Sequence, residues 1–247
     1  NGGGTPIRAE EETIASVLKQ KGYATGGFGK WGAGGRGSTG VPEDHGFDVF
    51  FGIYDQVHAH TFYPPYIIRN SEEVPLKGNI GGRHGETYSH YEIVEEGLQF
   101  VRDNKDDPFF VYYPMALTHG PFEPTPHSDI WSENRHDSGV KYFKDMVEYM
   151  DVVIGRIVDK VDELGLRKNT LILFLGDNGS PRQVTSIING REFKGGKGLP
   201  TSKLPPLSAP PPTSVPGGSV LFLQRPSTVH TAPSGHTPQT PPQPSEP

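Results

Sequence analysis

Apolar residues along the first 200 positions alternate between helical and strand-like spacing. Three times, a segment with apolar residues three or four positions apart is followed by a short loop and an uninterrupted apolar run. The first spacing predicts an amphipathic helix, and the second is typical of a strand buried in a parallel sheet. The predicted pairs are helix 13–21 with strand 23–28, helix 89–102 with strand 109–113, and helix 143–164 with strand 171–175. This repetition predicts an α/β fold in which helices flank a mostly parallel sheet.

Residues capable of chemistry come soon after each of the three predicted strands. Lys30 lies just beyond the first strand, His119 a few residues beyond the second, and Asp177 with Asn178 beyond the glycine that closes the third. Ligands of α/β sheets bind outside the carboxyl ends of the strands. We therefore expect a cation, an imidazole and a carboxylate–carboxamide pair at one edge of the sheet.

Taken one at a time, these residues also have ordinary explanations. Asp177 and Asn178 offer the hard oxygen ligands that suit calcium or magnesium, but Asp-Asn-Gly is equally a sequence that favours a tight turn. Lys30 fits a solvated surface lysine, and His119 fits a hydrogen-bonded loop histidine. Near a metal and an oxyanion, Lys30 would neutralise developing charge and His119 could donate a proton. Their shared position after successive strands favours a site.

A glycine-rich segment at 193–198 adds a second lysine, Lys197. Backbone N–H groups and lysines in such a segment can approach a tetrahedral anion closely, as they do in phosphate-binding loops. The segment is not a P-loop, because neither Ser nor Thr follows Lys197 and no helix is signalled after it.

Composition and charge exclude several function classes. The 247 residues carry 23 Lys and Arg against 29 Asp and Glu, and the net charge of −6 gives no electrostatic reason to expect nucleic acid or an anionic membrane as a partner. No uncharged apolar run reaches the roughly 18 residues of a transmembrane helix, and the sequence shows no signal peptide. The lack of cysteine excludes disulfides, thiolate zinc sites and a cysteine nucleophile from these residues.

The composition changes abruptly near residue 200. Residues 201–247 contain 13 of the 25 prolines and three charged side chains, with one short apolar run at 220–223. Such a segment buries too little apolar surface to offset its ordering entropy, so we expect it to be disordered or loosely extended. It is either a Pro-rich linker or tail, or the frameshifted continuation of a globular domain. The sequence thus divides into a globular part, 1–200, and a low-complexity part, 201–247.

Four segments together resemble the sulfatases of the alkaline-phosphatase-like superfamily. They are Gly-Tyr-Ala-Thr-Gly-Gly-Phe-Gly-Lys-Trp at 22–31, Thr-His-Gly-Pro-Phe at 118–122, Gly-Asp-Asn-Gly at 176–179 and Gly-Gly-Lys-Gly at 195–198. Each motif is weak, but their order and spacing are similar to the middle of a sulfatase catalytic domain. The resemblance covers residues 13–198.

The resemblance implies a role for each candidate residue. Asp177 and Asn178 match metal ligands, for calcium ahead of magnesium, that hold a sulfate oxygen. Lys30 matches the lysine that contacts the nucleophile and the sulfate, and Lys197 matches the second sulfate-binding lysine. His119 matches the histidine that binds sulfate and assists departure of the alcohol. The implied activity is hydrolysis of a small-molecule or carbohydrate sulfate ester by a hydrated formylglycine.

The sequence also departs from the family pattern. It contains neither the Cys/Ser-x-Pro-x-Arg motif that yields formylglycine nor the acidic metal ligands near the domain's start, and Gly32 stands where the family commonly has histidine. Beyond Lys197, the Pro-rich segment replaces the expected last strands and smaller C-terminal subdomain. We therefore expect a fragment of the catalytic domain that is inactive alone. The alternatives are a phosphoric-ester or phosphonate hydrolase of the same superfamily, and a non-catalytic remnant that binds anionic ligands. Family members are often periplasmic, secreted or lysosomal.

A histidine pair among aromatic residues, His58 and His60, has three interpretations. The two lie at the spacing that a strand would use to point both to one face, as in half of a zinc or copper site. The segment 56–66 also fits a packed aromatic loop near the cleft. The resemblance suggests a third role, because sulfatases often have a similar His-rich insertion that shapes the substrate pocket.

Overall fold

The computed structural model describes residues 5–81, 83–176, 179–188, 190–197 and 219–224. Its α-helices are α1 (Ile14–Lys19), α2 (Ser89–Asp103), α3 (Trp131–Asn134) and α4 (Phe143–Glu163). Its strands are β1 (Ala24–Lys30), β2 (Val49–Ile53), β3 (Tyr66–Arg69), β4 (Glu72–Pro75), β5 (Phe109–Pro114), β6 (Leu171–Gly176), β7 (Thr185–Ile188), β8 (Arg191–Lys194) and β9 (Ser219–Gln224).

The main sheet of the described residues has seven strands in the order β4-β3-β2-β1-β5-β9-β6, and β7 with β8 forms a separate hairpin. The strand β1 pairs in parallel with β2 and β5, whereas the other four pairings in the main sheet are antiparallel. Because each antiparallel pairing reverses the direction, β4, β2, β1, β5 and β6 all run the same way. The predicted α/β fold with a mostly parallel sheet is therefore confirmed.

Helices cover both faces of the sheet. The main core joins Val94 of α2 and Met146 of α4 to Phe109 of β5. On the opposite face, Ala15 of α1 packs with Phe110, the next residue of β5. Neighbouring residues of a strand point to opposite faces, so β5 contributes apolar side chains to the cores on both faces of the sheet.

The three predicted helices are all present, and local chemistry explains where the first one begins. Thr13 caps α1: its hydroxyl accepts the backbone N–H of Ser16 at 3.0 Å, and the Ser16 hydroxyl accepts the backbone N–H of Thr13 at 2.9 Å. This reciprocal arrangement satisfies two donors that a helix start would otherwise leave unpaired. None of the helices in the described ranges combines the length and apolarity needed to cross a membrane.

The strand β6 differs from the buried strand that its apolar sequence predicts. It is the last strand on its side of the sheet, and Leu171, Leu173 and Leu175 along one face are 54%, 42% and 51% exposed. On the other face, Phe174 is 36% exposed and Ile172 packs partly against the main core. The prediction of burial is wrong here because an apolar run reports strand propensity, while burial depends on neighbouring elements.

The Pro-rich segment contributes one strand to the sheet. Residues Ser219–Gln224 pair antiparallel with both β5 and β6. The sequence predicts a disordered or loosely extended chain over 201–247, whereas these six residues lie between two strands. The pairing coincides with the one apolar run of the segment, 220–223. The remainder of 201–247 lies outside the described residues.

The central strands approach one another closely at their carboxyl ends. A Cβ atom placed on Gly29 of β1 would lie 2.1 Å from the carbonyl oxygen of Pro114 in β5. One placed on Gly52 of β2 would lie 2.0 Å from the carbonyl oxygen of Gly29. Gly29 also has a φ of +139°, a value that residues with a side chain rarely adopt. The two glycines therefore allow three strands to come together immediately before Lys30.

Replacing Gly29 with alanine should destabilise the fold. The new methyl group meets a backbone carbonyl that cannot rotate away, and the backbone conformation is strained, so we expect Gly29→Ala to lower the free energy of unfolding by about 1–3 kcal/mol or more. The control is Gly155→Ala in α4, where an added Cβ meets no atom within 4 Å; this change should raise stability by about 0.5–1 kcal/mol. Urea denaturation checks both, and equal stability of the two variants would contradict the crowding at Gly29.

The buried imidazole of His90 should make stability fall in mild acid. His90 is 4% exposed, and burial lowers its pKa from 6.5 to about 4. Between these values the unfolded chain binds a proton that the folded chain does not, so the free energy of unfolding drops as the pH falls from 6.5 to 4, by on the order of 3 kcal/mol. Denaturation at pH 7 and pH 4.5 should show a smaller drop for His90→Phe than for the wild type. The exposed His127, changed to Phe, serves as control; a drop unaffected by His90→Phe would rule out this cause.

Candidate active site

Three strands that run in one direction end at the same edge of the sheet. The strand β1 ends at Lys30, β5 at Pro114 and β6 at Gly176. The pairings of β1 with β5, and of β9 with both β5 and β6, establish their common direction. Loops that leave these strands therefore emerge side by side, as the sequence analysis requires for a ligand site.

Lys30 has a well-anchored position on the sheet. It is half-buried as the last residue of β1. The next residue, Trp31, donates its backbone N–H to the carbonyl oxygen of Ile53 at 2.9 Å and its indole N–H to that of Gly40 at 2.6 Å. The indole also packs edge-on against Phe47. The tight strand contacts before Lys30 and the tryptophan anchor after it fix the base of the lysine side chain.

His119 is held by the loop that follows β5. The preceding residues 115–118 are buried, and the backbone N–H of His119 donates to the carbonyl oxygen of Ala116 at 3.0 Å. The imidazole Nδ1 lies 2.7 Å from the carbonyl oxygen of Gly120. A carbonyl oxygen can only accept, so Nδ1 carries a hydrogen and donates it. The other ring nitrogen, Nε2, remains for exchange with a ligand.

His60 stacks on His119. The two ring centroids are 4.4 Å apart and the ring planes differ by 6°. The ring of His58, by contrast, packs against Tyr66 at a centroid distance of 4.9 Å. Of the three interpretations of this pair, the one that places both histidines on one face of a strand is wrong, because both belong to a 3₁₀ helix, His58–His60, in which residues two apart point in different directions.

The electrostatics of His60 bring three of the predicted residues together. Its pKa is lowered first by desolvation and then by the positive charges of His119, Lys30 and Lys197, while Asp55 acts in the opposite direction. His119 stacks directly on His60, and the charges of Lys30 and Lys197 act on the same imidazole.

Lys197 is brought to this group by a glycine-rich loop after β8. Its backbone N–H donates to the carbonyl oxygen of Ser180 at 3.0 Å, and that of Gly195 donates to the carbonyl oxygen of Val184 at 2.8 Å. A Cβ on Gly195 would lie 1.9 Å from the carbonyl oxygen of Pro181. The loop is therefore pressed against the segment 180–184, and only glycine fits at position 195.

The predicted metal ligands lie outside the described residues. Asp177 and Asn178 fall in the gap between Gly176 and Gly179. In the parts of the chain that the structure describes, no three His, Asp or Glu side chains are placed to hold a metal ion. The same holds around His58 and His60, where the described residues do not supply a third zinc or copper ligand.

Gln56 takes the space beside Gly32. A Cβ on Gly32 would lie 2.2 Å from Nε2 of Gln56, and the same nitrogen lies 3.4 Å from the carbonyl oxygen of Gly32. Gly32 is the position where the sequence departs from the sulfatase pattern. The carboxamide of Gln56 thus adjoins the place where sulfatases commonly have a histidine side chain.

The sequence did not predict that His60 rather than His58 would contact His119, and it did not identify Gln56. The residue that indicates the local conformation is Asp55, whose carboxylate accepts the backbone N–H groups of Val57 at 2.6 Å and His58 at 3.1 Å. An Asp that bonds to backbone two residues on starts a turn. If this segment is interpreted as a turn and not as a strand, the side chains of His58 and His60 are expected to point in different directions.

The arrangement suits an anion. Two lysines and an imidazole, Lys30, Lys197 and His119, all act on His60, and each of the three is partly accessible to solvent. Ammonium and imidazole N–H groups form strong, charge-assisted hydrogen bonds to the oxygens of sulfate or phosphate. Cations fixed before the ligand arrives also stabilise charge that shifts during a reaction.

Comparison with known proteins identifies the family of the chain. The family model described as Sulfatase matches residues 2–204. The chain is 30% identical to arylsulfatase G of Mus musculus over 203 residues, which covers 72% of this chain and 37% of that protein. It is 31% identical to arylsulfatase A of Homo sapiens over 195 residues, again with 72% and 37% covered. With N-acetylgalactosamine-6-sulfatase of Homo sapiens the identity is 30% over 210 residues, covering 79% and 36%. The chain spans little more than a third of the length of these relatives.

Solved structures share the fold. The crystal structure of Ps i-CgsB matches with a TM-score of 0.59 at 20% identity, covering 90% of this chain and 48% of that one. A second structure of Ps i-CgsB, in complex with k-i-k-neocarrahexaose, matches with the same values. A structure from work on glycosaminoglycan metabolism by Bacteroides thetaiotaomicron matches with a TM-score of 0.53 at 23% identity, covering 70% and 47%. With most of its length matched by the family model, the chain belongs to the sulfatase family.

Proposed function

We propose that this chain forms part of a catalytic domain that hydrolyses sulfate esters. The observation that carries the proposal is the convergence of Lys30, His119 and Lys197 around His60 at the carboxyl edge of the sheet. Membership of the sulfatase family supports the same reaction, and the family in general implies a metal and a formylglycine.

The two lysines bind the sulfuryl group in this proposal. A sulfate ester presents negatively charged oxygens, and charge moves among them and the leaving oxygen as the ester bond breaks. The ammonium groups of Lys30 and Lys197 compensate that charge from positions set by the sheet and by the loop pressed against 180–184. They need little rearrangement when the substrate binds, and this favours the transition state over the free ester.

His119 donates the proton that the departing alcohol needs. Its Nδ1 is engaged by the carbonyl oxygen of Gly120, so Nε2 faces the substrate in this proposal. An oxygen nucleophile, which the hydrated formylglycine of the family would supply, would form a new bond to sulfur as the ester's sulfur–oxygen bond breaks. The electron pair of the broken bond passes to the alcohol oxygen, which takes the proton from Nε2. The alcohol leaves neutral, and His119 is left as a neutral imidazole.

Asp177 and Asn178 are the residues that would hold the metal. A carboxylate and a carboxamide oxygen are hard donors of the kind that calcium prefers, and calcium fits this pair better than magnesium because it accepts irregular oxygen sets. Bound there, it would supply further positive charge to a sulfate oxygen. The formylglycine expected in the family arises from a Cys/Ser-x-Pro-x-Arg motif, which does not occur in these 247 residues.

The proposed substrate is an aryl or carbohydrate sulfate ester. The names of the curated relatives include arylsulfatases and an N-acetylgalactosamine-6-sulfatase, and one structural neighbour was solved with a carbohydrate bound. Gln56 adjoins Gly32, two residues after Lys30, and in this proposal its carboxamide could contact the alcohol part of an ester.

The whole gene product should release the alcohol from 4-nitrophenyl sulfate. Lys30→Ala and Lys197→Ala should each lower kcat/KM for this ester by about 10²–10⁴-fold, because each removes a positive charge from the transition state. His119→Ala should cost a similar factor for an alkyl sulfate, whose leaving oxygen needs a proton, and less for 4-nitrophenyl sulfate. Lys21→Ala is the matched control: Lys21 is exposed and lies before the opposite end of β1, so kcat/KM should be unchanged. The measurement is steady-state release of 4-nitrophenol.

Three results of this assay would overturn the proposal. Faster turnover of 4-nitrophenyl phosphate than of the sulfate would indicate a phosphoric-ester hydrolase. No turnover, combined with sulfate binding in calorimetry, would indicate a non-catalytic anion binder. Turnover that survives Lys30→Ala and Lys197→Ala would show that the reaction takes place elsewhere on the protein.

The loop that carries Lys197 offers a separate test on sulfate binding. Gly195→Ala brings a methyl group against the carbonyl oxygen of Pro181 and should displace Lys197. Loss of one charge-assisted hydrogen bond should weaken sulfate binding about tenfold. Calorimetry at constant ionic strength measures the affinity, with Gly155→Ala as control and circular dichroism to show that the fold persists. An unchanged affinity in folded Gly195→Ala would remove Lys197 from the site.

A further inference from the structure

The stacked pair of His60 and His119 has a geometry that the proposed reaction can use. The two rings are nearly parallel, 6° apart, at a centroid distance of 4.4 Å. The Nδ1 atom of His119 donates a hydrogen bond to the carbonyl oxygen of Gly120 at 2.7 Å. One edge and one face of the His119 ring are therefore both occupied, and a planar ring constrained in this way has little freedom to rotate about its side-chain bonds.

The surroundings of His60 favour its neutral form. Desolvation lowers the pKa of His60, and so do the charges of His119 in the loop after β5, Lys30 of β1 and Lys197 in the loop after β8. Asp55, from the turn before the 3₁₀ helix, acts against them. Positive charge on the His60 ring is therefore disfavoured where it stacks on His119.

A neutral His60 is a favourable neighbour for a protonated His119. The face of a neutral aromatic ring attracts a cation placed over it, whereas a second cation there would repel it. Desolvation and the charges of His119, Lys30 and Lys197 all favour the neutral form of His60, which is the form that packs well against a cationic ring. The same stacking holds the ring plane while the proton leaves Nε2.

We propose that His60 is a positioning residue for His119, whose stacked ring holds the Nε2 of His119 in line with the leaving oxygen of the ester. This inference rests on the proposed function, since it gives His60 a task only in proton transfer to that oxygen. His60 itself touches neither the reacting sulfur nor the leaving oxygen in this proposal.

The test uses the whole gene product and two kinds of sulfate ester. Esters of acidic phenols leave readily without a proton, whereas alkyl and carbohydrate sulfates require one. His60→Ala should lower kcat for an alkyl sulfate by about 10–100-fold, as expected when a catalytic group is misplaced by about 1 Å. For 4-nitrophenyl sulfate the loss should be less than about threefold, and KM should change little for either ester.

Two further variants separate positioning from general damage to the fold. His60→Phe restores a flat ring of similar thickness that cannot ionise, and it should recover most of the alkyl sulfatase activity and extend it to lower pH. In the His119→Ala background, His60→Ala should cause no further loss, because the ring that it positions is gone. The exposed His127, changed to Ala, is the control and should leave both esters unaffected.

The outcomes distinguish this inference from the proposed function. If the wild type hydrolyses no sulfate ester, the proposed function fails and the positioning role fails with it. If the wild type is active but His60→Ala slows both esters equally, or adds fully to His119→Ala, sulfate hydrolysis stands and the positioning role is wrong. A selective loss on the alkyl ester with rescue by Phe supports it.

Discussion

The close approach of β1 to β2 and β5 at their carboxyl ends sets the position of the site. Gly29 and Gly52 leave no room for a Cβ, so backbone packs directly against backbone one residue before Lys30. Because a packed interior transmits small displacements, a shift at this point would move the lysine and the loop that leaves Pro114 together. On the other side of Lys30, the indole N–H of Trp31 donates a hydrogen bond to the carbonyl oxygen of Gly40 and holds the chain in place. The site is thus built on the most constrained part of the sheet, as preorganised catalysis requires.

The collection of cations at this edge has a cost for the free protein. Lys30, His119 and Lys197 act on His60 in the same direction, and Asp55 is the group that opposes them. Like charges gathered in a partly buried place destabilise the fold, and a bound anion relieves that repulsion. The repulsion that weakens the free protein therefore favours anionic ligands over neutral ones. Ligand binding should also stabilise the fold, through mass action.

The periodicity of apolar residues predicted most of the layers because it is a local property. The helices at 89–103 and 143–163 and the strand at 109–114 each carry their own pattern and lie where it indicates. The sheet-edge argument needed only strand direction and the position of a residue after a strand, so it placed Lys30 and His119 beyond the same ends of β1 and β5, which do run in one direction. Lys197 follows no predicted strand, and its part in the site stays a prediction. The exposure of Leu171, Leu173 and Leu175 could not be foreseen, because it depends on what lies beside β6. The turn at His58–His60 escaped prediction because two residues of alternating pattern fit a strand and a 3₁₀ helix equally well.

The antiparallel strand β9 has a consequence for the shape of the cleft. It separates β5 from β6, and neighbouring strands lie about 4.8 Å apart, so the chain ends that lead to His119 and to Gly176 stand roughly 10 Å from each other. No short side chain on either loop can span that width. A long, flexible lysine reaching in from a separate hairpin is one means of closing such a gap, and Lys197, on the loop after β8, has that length and origin. The width of the binding site is therefore governed by a strand that contributes no chemistry of its own.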